Sequence, residues 1–156
     1  MNYVVMGVSG CGKSTVGAAF AAATGGQFID GDDLHPAENV AKMASGQPLT
    51  DDDRAPWLDR VAQALTGQVV IGCSALKRAY RDRIRAGAGP VRFLHLSGTR
   101  DVIAARMAVR PGHFMPLGLL DSQFATLEPP GPDEDAITVD IDQPFDAVVA
   151  ALLAND

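Results

Sequence analysis

The sequence predicts an α/β domain in which a parallel sheet is covered by helices on both faces. Three observations carry this reading. Short apolar runs alternate with helical stretches along the whole chain, the runs show little polar alternation, and no repeat or linker interrupts them. Strands buried on both faces read in this way because neither side meets water. The 156 residues suit one domain, taken as residues 1–156. Such a chain buries roughly 70% of its unfolded surface and needs no disulfide or metal staple.

The first strand is predicted over residues 3–6 and stops at Gly7. A helix follows over 13–24, ended by Gly25 and Gly26. A short strand over 27–29 runs into the acidic cluster Asp30-Gly31-Asp32-Asp33. Two helices come next, over 36–44 and 51–65. The first has Pro36 at its start, and the second is capped by Thr50 with Asp51, Asp52 and Asp53 in its first turn. Residues 68–73 form an apolar strand, 77–86 a basic helix and 91–96 another strand. A helix over 100–110 is broken by Pro111-Gly112, and a short helix covers 117–127. Beyond the loop at Pro129-Pro130-Gly131-Pro132, the last strand spans 136–141 and the last helix 145–153. Ligands of such sheets bind beyond the carboxyl ends of the strands. Those ends fall at Gly7, Asp30, Ser74, Ser97 and Asp142, so these loops are expected to face one site.

Composition narrows the function classes. Hydrophobic residues make up 47% of the chain and the formal net charge is −6, which excludes a disordered segment. No run of about 18 apolar residues occurs, so a spanning helix and a membrane partner are not expected. The N-terminus lacks a basic region and Lys13 interrupts its apolar start, unlike a secretory signal. Two cysteines, Cys11 and Cys73, make no disulfide framework, and the expectation is a reduced cytoplasmic chain. An acidic whole argues against nucleic acid. Nine of the 13 basic residues nevertheless lie between Lys77 and Arg110, where only Asp82 and Asp101 are acidic. That segment suits a small anionic ligand, with a solvated helix face as the alternative.

The chemistry begins at Gly7-Val8-Ser9-Gly10-Cys11-Gly12-Lys13-Ser14, which fits G-x-x-x-x-G-K-[ST] between the first strand and the first helix. Glycines let backbone N–H groups converge on phosphate oxygens, and the helix adds its positive end. Lys13 is expected to bridge the β- and γ-phosphates of ATP, Ser14 to ligate Mg²⁺, and Thr15 to add a hydrogen bond. Cys11 reads as a small filler. Asp30 and Asp32, two apart at a strand end, face the same mouth. One can serve Mg²⁺ through water while the other takes the proton of an attacking hydroxyl. No acidic residue ends the third strand, which favours Asp30 for the metal; a solvated acidic turn is the alternative.

These residues resemble the bacterial gluconokinases of the thermoresistant type, which are related to shikimate kinase. The likeness runs through 6–14, Asp30 to Pro36, and the stretch from Lys42 to Arg54. It continues in Cys73-Ser74-Ala75-Leu76-Lys77, Tyr80-Arg81, Gly112-His113-Phe114 and 139–144, in family order over nearly the whole chain. The resemblance implies the three-layer P-loop kinase fold, a five-stranded parallel sheet flanked by helices with a mobile lid. It implies phosphorylation of D-gluconate at its 6-hydroxyl with ATP and Mg²⁺, and it suggests a homodimer. Asp32 would orient or deprotonate the acceptor, and Asp30 would order the Mg²⁺ shell. Arg54 would hold the carboxylate or else pair with the neighbouring aspartates. His35 would bond a sugar hydroxyl or cap the turn before Pro36.

On the basic helix, Lys77, Arg81 and Arg85 form a stripe beside Leu76, Tyr80 and Ile84. Lys77 and Arg81 are therefore expected near the substrate, with Arg78 and Arg83 in solvent. Arg110 is expected to be the lid cation, Arg106 to lie nearer the adenine, and Gln143 to belong to the adenine-side loop. Two alternatives remain at this point: a related kinase with shikimate or another hydroxy-acid acceptor, and a nucleotide-binding regulatory switch.

Overall fold

Successive residues of β1 (Asn2–Met6) point into two different cores, and this sets the layering. Tyr3 and Val5 pack with Val16 and Phe20 of α1 (Lys13–Thr24), while Val4 and Met6 pack with Trp57, Leu58 and Val61 on the opposite face. The computed structural model describes residues 1–109 and 117–156. Its sheet holds β1, β2 (Gln27–Asp30), β3 (Val69–Gly72), β4 (Val91–Ser97) and β5 (Ala136–Asp140), in the order β2-β3-β1-β4-β5. Every pairing is parallel, with Val5 opposite Gly72 on one side and Leu94 on the other. All strand carboxyl ends therefore open on one edge, with β1 in the middle.

The helices are α2 (Ala37–Ala44), α3 (Asp51–Ala64), α4 (Arg78–Ala88), α5 (Arg100–Ala108), α6 (Leu117–Thr126) and α7 (Phe145–Asn155). None of the described helices is long and apolar enough to cross a membrane. The predicted boundaries of α1 match, because Gly25 at φ 75° ends it in a left-handed turn. Thr50 caps α3 in a full capping box: its hydroxyl accepts from Asp53 N, and the Asp53 carboxylate accepts from Thr50 N at 2.9 Å. Between β2 and α2 the acidic cluster forms a 3₁₀ turn, Gly31–Leu34, where the sequence suggested only a loop. A side chain at Gly31 would collide with the Gly72 carbonyl, so glycine is needed there for the turn to sit against β3.

Candidate active site

The loop after β1 returns the chain into α1 through Gly12, whose φ of 95° is left-handed. Gly7, at φ 144°, packs so closely that a Cβ would lie 2.8 Å from Cys11 Sγ and 2.9 Å from the Leu96 carbonyl. Lys13 Nζ folds back over the loop and donates to Gly7 O at 3.0 Å and Val8 O at 3.1 Å. Val8 and Cys11 are buried, and burial raises the Cys11 thiol, which fits a filler rather than a nucleophile. Beside the loop lies a cavity of about 240 Å³ lined by Ser9, Lys13, Ser14, Asp30, Asp32 and Ser74 among others.

On the other side of the loop an apolar slot of about 290 Å³ is lined by Gly10, Thr15, Val16, Ile141, Phe145 and Val148 among others. Arg106 closes one edge, donating to the backbone carbonyls of Ile141 and Gln143. The Gln143 side chain turns away to donate to Asp140 O at 2.7 Å. The slot's shape and apolar lining suit a flat heterocycle.

Asp30 caps the 3₁₀ turn by accepting from Asp32 N at 3.0 Å, which ties the two acidic residues together. Burial raises the Asp32 carboxyl above the ordinary aspartate range, with Asp30 and Asp33 adding to it against His35 and Lys13. Asp32 also opens into a larger cavity of about 610 Å³, lined by His35, Arg54, Trp57, Lys77 and Tyr80 among others. His35 stacks on Trp57 with ring centroids 4.2 Å apart and planes inclined by 15°. Burial lowers the His35 pKa, Arg54 adding to the effect and Asp32 opposing it, so the ring favours its neutral form. With Asn39 Nδ2 donating to Nδ1 at 3.3 Å, the proton is assigned to Nε2. The far wall is cationic. Arg54 donates to Leu49 O at 3.0 Å and Tyr80 Oη at 3.3 Å, and Lys77 Nζ lies 3.4 Å from Asp51. Arg54 also stands 3.7 Å from Asp51, so the aspartate pairing expected as its alternative is present as a loose contact.

An apolar slot, the cavity beside the phosphate loop and a larger cavity with a cationic wall thus lie at the carboxyl end of the sheet. A family model described as an AAA domain matches residues 3–130. The chain is 49% identical to the thermoresistant gluconokinase of Escherichia coli over 158 residues, covering 97% of this chain and 90% of that one. The chain belongs to the gluconokinase family. A crystal structure of a gluconokinase from Sinorhizobium meliloti 1021 superposes with a TM-score of 0.90 at 51% identity, covering 98% of this chain and 89% of that chain. A shikimate kinase from Bacteroides thetaiotaomicron, 18% identical, shares the fold at a TM-score of 0.71, covering 99% of this chain and 97% of that one.

Within this gluconokinase-family site, Lys13, Ser14, Asp30 and Asp32 meet at the phosphate cavity, and Asp32, His35, Arg54 and Lys77 at the larger one. Arg81 does not join them, which corrects the expected substrate contact. Its side chain is fully buried, with Nε donating to Glu134 Oε1 at 2.7 Å. Its remaining donors go to Glu134 Oε2 and to the carbonyls of Ala75, Leu76 and Glu128. The stripe argument failed because Lys77 is the extended N-cap of α4 rather than a helical residue, so it does not share a face with Arg81. Arg78 and Arg83 are exposed as expected, paired with Asp133 and Asp59. Arg110 lies outside the described residues, as does His113.

Two residues of the site carried no signal in any motif. Trp57 forms a wall of the larger cavity and donates from Nε1 to Gly31 O at 2.8 Å, holding the turn that carries Asp32. Gln123 of α6 reaches the phosphate loop itself: its Oε1 accepts from Ser9 N at 2.7 Å and its Nε2 donates to Ser9 Oγ at 3.0 Å.

Proposed function

We propose that the chain transfers the γ-phosphoryl group of ATP to the 6-hydroxyl of D-gluconate, giving 6-phospho-D-gluconate and ADP. One observation carries the site assignment: Asp32 lines both the phosphate cavity and the cavity with the cationic wall. A carboxylate at that junction is suited to orient the acceptor hydroxyl and take its proton as the oxygen–phosphorus bond forms. Arg54 and Lys77 at the opposite wall would hold the gluconate carboxylate, and neutral His35 would donate from Nε2 to a hydroxyl. The apolar slot takes the adenine, with Arg106 and the backbone around Gln143 at its edge. Gly7 to Thr15 cradle the phosphates, and Lys13 turns from its loop carbonyls to the β- and γ-oxygens. Arg110 is the proposed lid cation.

Mg²⁺ fits the donors present. Ser14 and Asp30 offer oxygen ligands, and among the described residues no group of three or more His, Cys, Asp or Glu forms a dedicated metal cage. A cation that keeps several waters and shares phosphate oxygens needs no more than this. Bound there, Mg²⁺ would neutralise charge on the phosphate oxygens.

The test is product identification. With ATP, Mg²⁺ and D-gluconate, phosphate is expected on the 6-hydroxyl by phosphorus NMR, and 6-deoxygluconate is expected to bind without being phosphorylated. Phosphate at another hydroxyl would contradict the proposed pose.

A further inference from the structure

Among the described residues, three line both the phosphate cavity and the acceptor cavity: Asp32, Ser74 and Gln123. Asp32 already has a role, and Ser74 follows β3, where its carbonyl accepts from Gly7 N at 3.2 Å. Gln123 is different, because it comes from the far side of the site. It grips Ser9 through both halves of its carboxamide, using the backbone N–H and the hydroxyl. The same helix lines the acceptor cavity with Leu119, Ser122 and Thr126. Its inner face is anchored by Leu120, which is fully buried, and an exposed Arg100–Asp121 ion pair ties its outer side to α5.

We infer that Gln123 is a positioning residue that couples the acceptor cavity to the phosphate loop. This rests on the function proposed above. An acceptor seated against α6 fixes that helix, and Gln123 passes the constraint to Ser9 of the phosphate loop, whose N–H and hydroxyl it holds. Ordering one side then lowers the cost of ordering the other, and the linkage is reciprocal: gluconate tightens ATP binding by the same factor that ATP tightens gluconate binding. Removing the carboxamide leaves both cavities in place and cuts the connection between them.

The experiment measures binding of a non-hydrolysable ATP analogue with Mg²⁺, by calorimetry, with and without saturating D-gluconate. Wild type is expected to show a coupling factor of about 5-fold or more, the low end of typical site–site coupling. In Gln123→Ala the factor is expected to fall close to one, with affinity for the analogue alone changed far less. Gln123→Met, which keeps the side-chain length without polar atoms, is expected to behave alike and serves if alanine loosens the helix. Thr126→Ala lines the same cavity from the same helix without touching Ser9, so it is expected to weaken gluconate yet retain the coupling. A merely structural Gln123 would lower the unfolding temperature and leave the coupling factor intact, which would overturn the inference. Wild type that phosphorylates gluconate without any coupling would also overturn it, leaving the functional reading in place. Wild type that does not phosphorylate gluconate would remove both.

Discussion

Arg81 and Glu134 form a fully buried, two-pronged ion pair, Nε to Oε1 at 2.7 Å and a second nitrogen to Oε2 at 3.1 Å. Arg85 adds a third contact at 2.6 Å from outside. The pair ties the loop after β3 to the segment before β5, so it supports the acceptor wall without touching it. Breaking one partner leaves the other charge buried, and Glu134→Gln is expected to cost about 3–5 kcal/mol by urea unfolding. The Arg81 hydrogen bond holds the Glu134 carboxyl down to about 2, against an ordinary 4.5. A depressed carboxyl contributes its stability above its unfolded value and loses it as pH falls. The gap between wild type and Glu134→Gln is therefore expected to close between pH 4.5 and about 2. A gap that stays constant across that window would contradict the pairing.

Asp32 is expected to matter to the chemical step rather than to nucleotide binding. Asp32→Asn should lower kcat by roughly 10²- to 10⁴-fold, the usual range for a lost general base. ATP affinity by titration should change little. Burial chiefly, with Asp30 adding to it, raises the Asp32 carboxyl, so its titration by NMR without nucleotide or Mg²⁺ should sit above the ordinary aspartate range and move to lower pH in Asp30→Asn.

Arg54 and Lys77 make a different prediction, because in the proposed pose they would face a ligand charge that is the same in ground and transition states. Arg54→Met should raise KM for gluconate about 10-fold or more with a smaller effect on kcat, as expected for a lost charge-assisted hydrogen bond. Arg54→Lys should restore little of this: Nη1 alone bonds both Leu49 O and Tyr80 Oη, and an ammonium lacks the second prong that a guanidinium offers a carboxylate. An equal rise in Ki for a neutral polyol inhibitor would show that the residue is not reading the carboxylate.

Trp57 is the chain's only tryptophan and forms a wall of the acceptor cavity, stacked on His35. Its emission is expected to change saturably with gluconate in wild type and to need far higher gluconate in Arg54→Met. A nucleotide-only response would put the acceptor elsewhere.

Much of this was legible in the residues. The phosphate loop, the Thr50 cap and the alternation of strands and helices are local patterns, and each forms where the chain suggested. Asp30 and Asp32 were readable as neighbours at the end of β2, and both line the phosphate cavity, although the 3₁₀ turn and not the strand sets the direction of Asp32. The failures came where side chains travel. Arg81 looked like a ligand for an anion, but its partner Glu134 lies 53 residues away and no spacing rule connects them. Gln123 and Trp57 are ordinary helical residues in sequence, and only packing brings them to Ser9 and His35. The 3₁₀ turn that aims Asp32 was missed because it depends on Gly31 lying against Gly72, a contact between the turn and the end of β3.

The most direct measurement is ADP formation with ATP and Mg²⁺ in the presence of D-gluconate, shikimate, AMP or no acceptor, run with wild type and Asp32→Asn. The expected result is turnover stimulated by gluconate alone and largely lost in Asp32→Asn while ATP still binds. Stimulation by shikimate or AMP instead of gluconate, or full activity in Asp32→Asn, would contradict the account.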